Sequence, residues 1–271
     1  MPKVIITDLD RTFFNGESQT TDQNALDFKN KLQDDDWIFI PCSDTSQKRV
    51  GAVKDRYNFN GPIACERGNA LYKGRDGLPI WENPIDRHTI KQLEIQIPFV
   101  LKRKFSNLEL TITHDAEEYQ TFEKLRKVGP QLICYYARWY SLAFSFVNEQ
   151  FEGDSYNDPY FRNIVKGLQE FIDNEHPNSG LFAETFVGAN FIQVFNRKAS
   201  KGQVVDSILK HFKVDQVFMI GDLNYDDLRH PQVIQCAVGN ALAEYKDVCQ
   251  FVAEKEFTSG FGECLEWITK Q

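Results

Sequence analysis

The amino-acid sequence predicts an α/β protein, a parallel sheet with helices on both faces that is split by an inserted α+β segment. Three features predict it. Short apolar runs alternate with amphipathic stretches from the N-terminus, the same alternation returns near residue 190, and the residues between have a different texture. At the start, Val4 to Thr7 has the length and composition of a strand. The stretch carrying Ala25, Phe28 and Leu32 on one face has helical period, and Trp37 to Pro41 is a second apolar run. Strand, helix and strand in that order make a β-α-β unit, whose crossover implies parallel pairing. Late in the chain, Phe191 to Phe195, a helix near Gln203 to Phe212, the run Gln216 to Ile220 and a shorter run at Cys236 to Val238 continue the pattern.

Between about Trp81 and Ala189 lie amphipathic stretches, the aromatic segment Tyr135-Tyr136-Ala137-Arg138-Trp139-Tyr140, and the polar break Glu152-Gly153-Asp154-Ser155. The N-terminal strands alone make an incomplete sheet. Residues 1–80 and 190–271 are therefore expected to form one core, with 81–189 as an inserted α+β domain. The aromatic segment reads first as core, and a stacking surface for a ring or sugar is its second reading.

With 271 residues, 42% of them hydrophobic, the chain can bury a substantial core. A formal net charge of -8, with Lys and Arg scattered, offers no basic stripe for a polyanion and argues against nucleic acid as a partner. Val4-Ile5-Ile6 is too short and too soon followed by charge for a signal sequence, and no apolar stretch approaches the roughly 20 residues of a membrane span. The sequence thus reads as cytoplasmic and membrane-free. Six widely spaced cysteines, without a C-x-x-C pair or a histidine at zinc-ligand spacing, read as reduced structural residues. Oligomeric state is not legible.

The chemistry gathers where parallel strands should end. Val4-Ile5-Ile6-Thr7 runs into Asp8-Leu9-Asp10-Arg11-Thr12, an apolar strand stopping at two carboxylates one residue apart. Open α/β sheets bind ligands outside such carboxyl ends. The second run ends in Cys42-Ser43-Asp44-Thr45, supplying hydroxyls and free backbone N–H groups suited to phosphate oxygens. A third run, Val217 to Ile220, ends in Gly221-Asp222-Leu223-Asn224-Tyr225-Asp226-Asp227. Acids from these ends would repel one another unless protons or a cation relieved them, and a hard divalent cation suits an all-oxygen donor set. Ser200 and Gln203 have capping-box spacing, which puts Lys201 in the first turn of a helix. The helix dipole disfavours a cation there unless it faces carboxylates or a phosphate. Singly, each element is ordinary: Asp-x-Asp is a common turn signal, and an isolated lysine is usually a solvated one. In this order, each at a strand or helix end, they point to catalysis.

The ordered set Asp8-Leu9-Asp10-Arg11-Thr12, Ser43, Lys201 and Gly221-Asp222 through Asp226 resembles the four motifs of the haloacid dehalogenase superfamily. Glu66-Arg67-Gly68-Asn69-Ala70-Leu71-Tyr72 sits where related phosphatases carry a turn and hairpin, and Val238-Gly239-Asn240-Ala241 is similar to their last strand-loop segment. The resemblance implies a Rossmann-like core with a C2-type cap, as in Cof-type and sucrose-phosphatase-like enzymes. It also implies a magnesium (Mg2+) phosphohydrolase. In that reading Asp8 is the nucleophile, Asp10 the general acid-base, and Lys201 and Ser43 hold the phosphate. The metal falls to Asp8, the backbone carbonyl of Asp10, Asp222 and Asp226, while Thr12 braces the first loop. The implied substrate is a small phosphorylated metabolite, a sugar phosphate before others. A phosphotransferase or phosphomutase, and a non-catalytic phosphosugar-binding regulator, are the alternatives. Two departures stand out. The second motif commonly reads Thr-Gly-Arg, against Ser43-Asp44-Thr45 here, and the residue before the last acid is commonly Asn, against Tyr225 here.

Overall fold

The computed structural model describes residues 2–83, 87–113, 129–136, 138–148, 155–185 and 190–271. The chain folds as two compact units, Met1–Asn83 with Ser200–Gln271, and Pro84–Ala199. The polar break at 152–154 and Ala137 of the aromatic segment lie outside the described residues.

The first unit opens with β1 (Lys3–Asp8), α1 (Gln23–Asp34), β2 (Trp37–Cys42), α2 (Gln47–Arg56), β3 (Ile63–Cys65), β4 (Ala70–Tyr72) and β5 (Pro79–Glu82). In the second unit, α3 (Arg87–Lys104) precedes β6 (Glu109–Thr113), β7 (Pro130–Tyr135), β8 (Ser141–Asn148), α4 (Pro159–Glu175), β9 (Leu181–Glu184) and β10 (Phe191–Asn196). The chain then returns to the first unit with α5 (Val205–Phe212), β11 (Val217–Gly221), β12 (Val233–Ala237), α6 (Ala243–Lys246), β13 (Phe251–Val252) and α7 (Phe257–Ile268).

The strands of the first unit form one eight-stranded sheet in the order β13-β12-β11-β1-β2-β3-β4-β5. It is parallel from β13 to β3, and β4 and β5 add an antiparallel edge. β1 is buried from Val4 onward, as a strand covered on both faces must be. Val4, Ile6, Ile40, Val217 and Met219 pack one face against Val205, Ile208 and Leu209 of α5. On the other, α1 lies against α7, with Asp22 capping α1 at Asn24 N (3.0 Å) while its second oxygen accepts from Ser259 (2.9 Å). The chain leaves β1 toward β2 on one side, and β11 later flanks β1 on the other. A crevice at the carboxyl ends follows from that reversal of strand order.

The second unit is an α+β layer pair with its own core. Its sheet runs β6-β7-β8-β10-β9 and is antiparallel except for β6 against β7. Ile90, Leu93, Ile97 and Leu101 of α3 and Phe161, Ile164, Leu168 and Ile172 of α4, at helical spacing, cover alternate residues Leu142, Phe144 and Phe146 of β8. Tyr136 and Tyr140 are buried, whereas Trp139 is exposed beside the Lys91 ammonium.

Two local expectations are corrected. Phe191 to Phe195, grouped by texture with the late core strands, pairs with β8 and β9 in the second unit, because an apolar run carries no record of which sheet it joins. In α1 the buried stripe is Ala25, Lys29 and Leu32, with Phe28 only partly covered. Residues 25, 28 and 32 and residues 25, 29 and 32 are equally good helical stripes, and neutral acceptors make Lys29 tolerable inside. Its ammonium donates to Gln33 Oε1 (2.6 Å), Asn30 Oδ1 (2.9 Å) and the Asn58 carbonyl (3.2 Å), and lies 4.9 Å from the Phe59 ring centre. The contacts that hold it are neutral ones.

Burial pushes the Lys29 amine down to about 8 from its ordinary 10.5. Between these values the unfolded chain binds the extra proton, so this group's contribution to stability rises as pH rises through that window. The stability of the wild type relative to Lys29→Met should therefore improve from about pH 8 to about pH 10, read from urea midpoints at each pH. A pH-independent difference would show that Lys29 keeps the same proton affinity in the folded and unfolded chain and that burial does not lower it.

Candidate active site

Asp8 is the last residue of β1, Ser43 follows the last residue of β2, and Asp222 follows the last residue of β11. The register pairs Asp8 with Cys42 and Thr7 with Ile220, so these strand ends lie side by side. Regular parallel pairing thus delivers three site residues to one edge without special loop geometry.

The strand-end acids close around one cation. Lys201 Nζ donates to Asp8 Oδ1 at 2.5 Å and to Asp226 Oδ1 at 2.6 Å, all three side chains being buried. Asp226 is held from its other oxygen, which accepts from the backbone N–H groups of Asp222 (2.9 Å) and Leu223 (3.1 Å). A Cβ at position 221 would run into this carboxylate, so glycine there is what lets the loop fold back on Asp226. Thr12 donates its hydroxyl to Asp222 Oδ1 (3.3 Å), bracing the loop that follows Asp8 against the loop that follows β11.

The capping box expected at Ser200 does not form. Ser200 makes no side-chain cap bond, residues Lys201–Val204 are a 3-10 turn ahead of α5, and Gln203 instead accepts from Asn83 at 2.5 Å. The anticipated consequence holds by another route. Lys201 stands at the start of this helical segment and faces carboxylates, which offset the unfavourable dipole.

Asp8, Asp222 and Asp226 each place one carboxylate oxygen within 4.8 Å of the others. Three acids around one ammonium leave an excess of buried negative charge. Burial raises the Asp8 carboxyl well above its usual range; Lys201 opposes this, and the Asp226 and Asp222 charges add to it. Asp222 is pushed up to about 7, first by burial and then by the Asp226 carboxylate. For Lys201 burial works against the charge, but Asp226 and Asp8 outweigh it and keep the amine protonated, well above its usual value.

Asp222 Oδ2 is buried and has no hydrogen bond; Arg11 Nε, 3.4 Å away, is at ion-pair distance only. An all-oxygen donor set, excess negative charge and an unsatisfied buried oxygen suit a hard divalent cation such as magnesium. Asp226 has both oxygens engaged by the chain, so Asp8 and Asp222 are the side chains best placed to hold it.

Asp10 stands outside this cluster. Its carboxylate is half exposed and pairs with Arg49, near the start of α2, at 3.3 Å. Arg11 takes a left-handed conformation (φ 67°), and Phe13 and Phe14 N–H groups return to the Leu9 carbonyl at 3.0 and 2.8 Å. This tight reversal points the two acids of Asp8-Leu9-Asp10 into different surroundings, one dry and one wet. Ser43 is buried; its N–H donates to the Ala64 carbonyl (3.0 Å), and its hydroxyl accepts from Thr45 N (3.4 Å). Sequence reasoning missed Arg49 and Arg67. The Arg67 guanidinium reaches Asp44 Oδ2 at 3.4 Å and lies over the Tyr225 ring, yet no spacing rule links it to those loops.

A family profile described as haloacid dehalogenase-like hydrolase matches residues 5–265. The comparison with curated proteins found no match. Among solved structures, a haloacid dehalogenase-like hydrolase from Bacteroides thetaiotaomicron superposes with a TM-score of 0.70 at 13% identity, over 99% of this chain and 100% of its own. The phosphatase BT1666 from the same species gives 0.62 at 18% identity, over 98% of this chain and 94% of its own. The HAD subclass IIB sugar phosphatase BT4131 gives 0.62 at 12% identity, over 98% and 99%. At these identities the likeness concerns the fold, while the profile match spans nearly the whole sequence, and the protein belongs to the haloacid dehalogenase-like hydrolases.

Proposed function

We propose that this protein is a magnesium-dependent phosphomonoester hydrolase that works through an aspartyl phosphate on Asp8. Its substrate would be a small phosphorylated metabolite, a sugar phosphate first. The observation that carries the reading is the Asp8 carboxylate, tethered by Lys201 at the carboxyl end of β1 and flanked by Asp222 and Asp226. The sugar phosphatase BT4131 among the fold relatives supports the substrate class. Pro84–Ala199, as an inserted unit within a discontinuous core, would serve as the cap that sets specificity.

In this mechanism Asp8 attacks phosphorus through a carboxylate oxygen, and the ester oxygen leaves with the bonding pair. Lys201 holds Asp8 Oδ1, so attack falls to Oδ2 without loss of orientation. The bound magnesium ion would supply charge neutralisation, allowing two anions to approach. Asp10, half exposed beside Arg49, protonates the leaving oxygen and then takes a proton from the water that hydrolyses the acyl phosphate. Ser43 and the neighbouring N–H groups hold the phosphoryl oxygens. Asp226 keeps Lys201 charged and in place throughout.

Protons and magnesium compete for the same carboxylates. Because Asp222 titrates near 7 without the ion, magnesium affinity should fall as pH is lowered through about 7, and binding there should release protons. Calorimetry in buffers of different ionisation enthalpy reads both, and EDTA should abolish turnover until magnesium is restored. Binding that is flat from pH 8 to pH 6, or full activity in EDTA after dialysis, would remove the metal from this site.

The two acids of Asp8-Leu9-Asp10 should separate on substitution. Asp8→Asn should reduce turnover of every substrate to background and yield no phosphoenzyme. Asp10→Asn should lose about 100-fold to 10,000-fold with a sugar phosphate. It should lose less in the first step with p-nitrophenyl phosphate, whose leaving group needs little protonation. Rapid-quench labelling checks this, and hydroxylamine-labile label on the Asp8→Asn protein, as expected of an acyl phosphate, would show that another carboxylate is the nucleophile. Binding of sugar phosphates without turnover of any phosphomonoester would favour a regulator.

A further inference from the structure

The two departures from the family pattern, Asp44 and Tyr225, are far apart in sequence and belong to loops after different strands. They meet on one side chain. Arg67 Nε donates to Asp44 Oδ2 at 3.4 Å, and the guanidinium carbon lies 4.3 Å from the centre of the Tyr225 ring. Arg67 is itself buried, 5% exposed, whereas the Asp44 side chain is 28% exposed and Tyr225 is 36% exposed. A guanidinium suits this position because it can bond a carboxylate at its edge while stacking an aromatic ring on its face.

The backbone around Arg67 is shaped to bring it there. Glu66, Arg67 and Gly68 are successive left-handed residues (φ 51°, 60° and 76°) in the β3-β4 turn. Such a conformation is costly for the first two, so it persists only where surrounding contacts enforce it. Arg67 N donates to the Ser43 carbonyl (3.4 Å), and Glu66 N to the Thr45 carbonyl (3.0 Å). At Gly68 a Cβ would come within 2.6 Å of the Ser200 carbonyl and 2.7 Å of Lys201 Cα. One turn therefore touches the Ser43 loop and the Lys201 segment, and its arginine reaches the Tyr225 loop as well.

Where the family commonly has glycine, this chain places a carboxylate directly after Ser43. Its charge reaches Lys201, on which it acts in the same sense as Asp226 and Asp8. An uncompensated carboxylate there would repel a phosphate dianion. We infer that Arg67 is a positioning residue that cancels the Asp44 charge and, stacked on Tyr225, keeps the phosphate-binding edge open to a dianionic group. This deepens the phosphohydrolase reading and rests on it.

The test is a double-mutant cycle on the binding of inorganic phosphate, measured calorimetrically with magnesium present in the wild type, Arg67→Met, Asp44→Asn and the double variant. Arg67→Met should weaken binding about tenfold or more, the scale of stranding one member of a partly buried charge pair. Adding Asp44→Asn should restore affinity to within about threefold, because the repelling charge is gone. Arg67→Lys, which keeps the charge without the planar fork, should lose much less than Arg67→Met. If the Met variant does not fold, Arg67→Gln takes its place in the same cycle. Equal weakening with and without Asp44 would overturn the inference, since it would mean that Arg67 contacts phosphate itself or acts only on the fold. No weakening at all would overturn it too. Turnover by the wild type tests the functional reading separately: the predicted cycle in a protein that hydrolyses no phosphomonoester would uphold the role of Arg67 and remove hydrolysis.

Discussion

The arrangement at the carboxyl edge of the sheet depends on how buried negative charge is balanced. Asp8, Asp222 and Asp226 each place one carboxylate oxygen within 4.8 Å of the others, and Lys201 is the ammonium bonded to two of them. Burying several like charges is expensive, and each has to be paired, hydrogen-bonded or protonated. Lys201 is therefore placed by the acids as much as it places them. The 3-10 turn ahead of α5, the glycine before Asp222 and the fold-back of Asp226 onto two backbone N–H groups all serve that arrangement.

From the same balance comes the difference in surroundings between two acids one residue apart. Asp8 ends a strand buried on both faces and inherits a dry environment in which its charge needs a partner. Asp10 lies beyond the reversal held by the Leu9 carbonyl, half exposed and paired with Arg49. A nucleophile benefits from fixed orientation and a shielded approach, whereas an acid-base group benefits from ready proton exchange. The tight turn gives the two acids surroundings that suit those two proposed roles, without any rearrangement of the sheet.

Departures from a family pattern become intelligible when their contacts are traced. Asp44 and Tyr225 each look like a local loss, of a glycine and of an asparagine. Both are partners of Arg67, a residue outside the four motifs. A motif position is not an independent unit: the charge introduced at one loop is answered from another. Lys29 shows the same logic in the core, where an ammonium is tolerated because neutral oxygens and aromatic faces surround it.

The sequence by itself determined the α/β alternation, the three strand ends that carry acids or hydroxyls, and the special standing of Lys201. Strand composition, helical period and turn residues are local properties, and parallel sheets reliably put their carboxyl ends at one edge. Tertiary structure alone decided that Phe191–Asn196 joins the antiparallel sheet, that Lys29 rather than Phe28 turns inward, and that the expected cap at Ser200 gives way to a bond between Gln203 and Asn83. It also decided that Asp226 braces Lys201, that Asp10 leaves the acid cluster, and that Arg67 bridges Asp44 and Tyr225. The reason is common to all of these. Partner choice between side chains distant in sequence depends on which loops the fold brings together, and neither periodicity nor spacing along the chain encodes that.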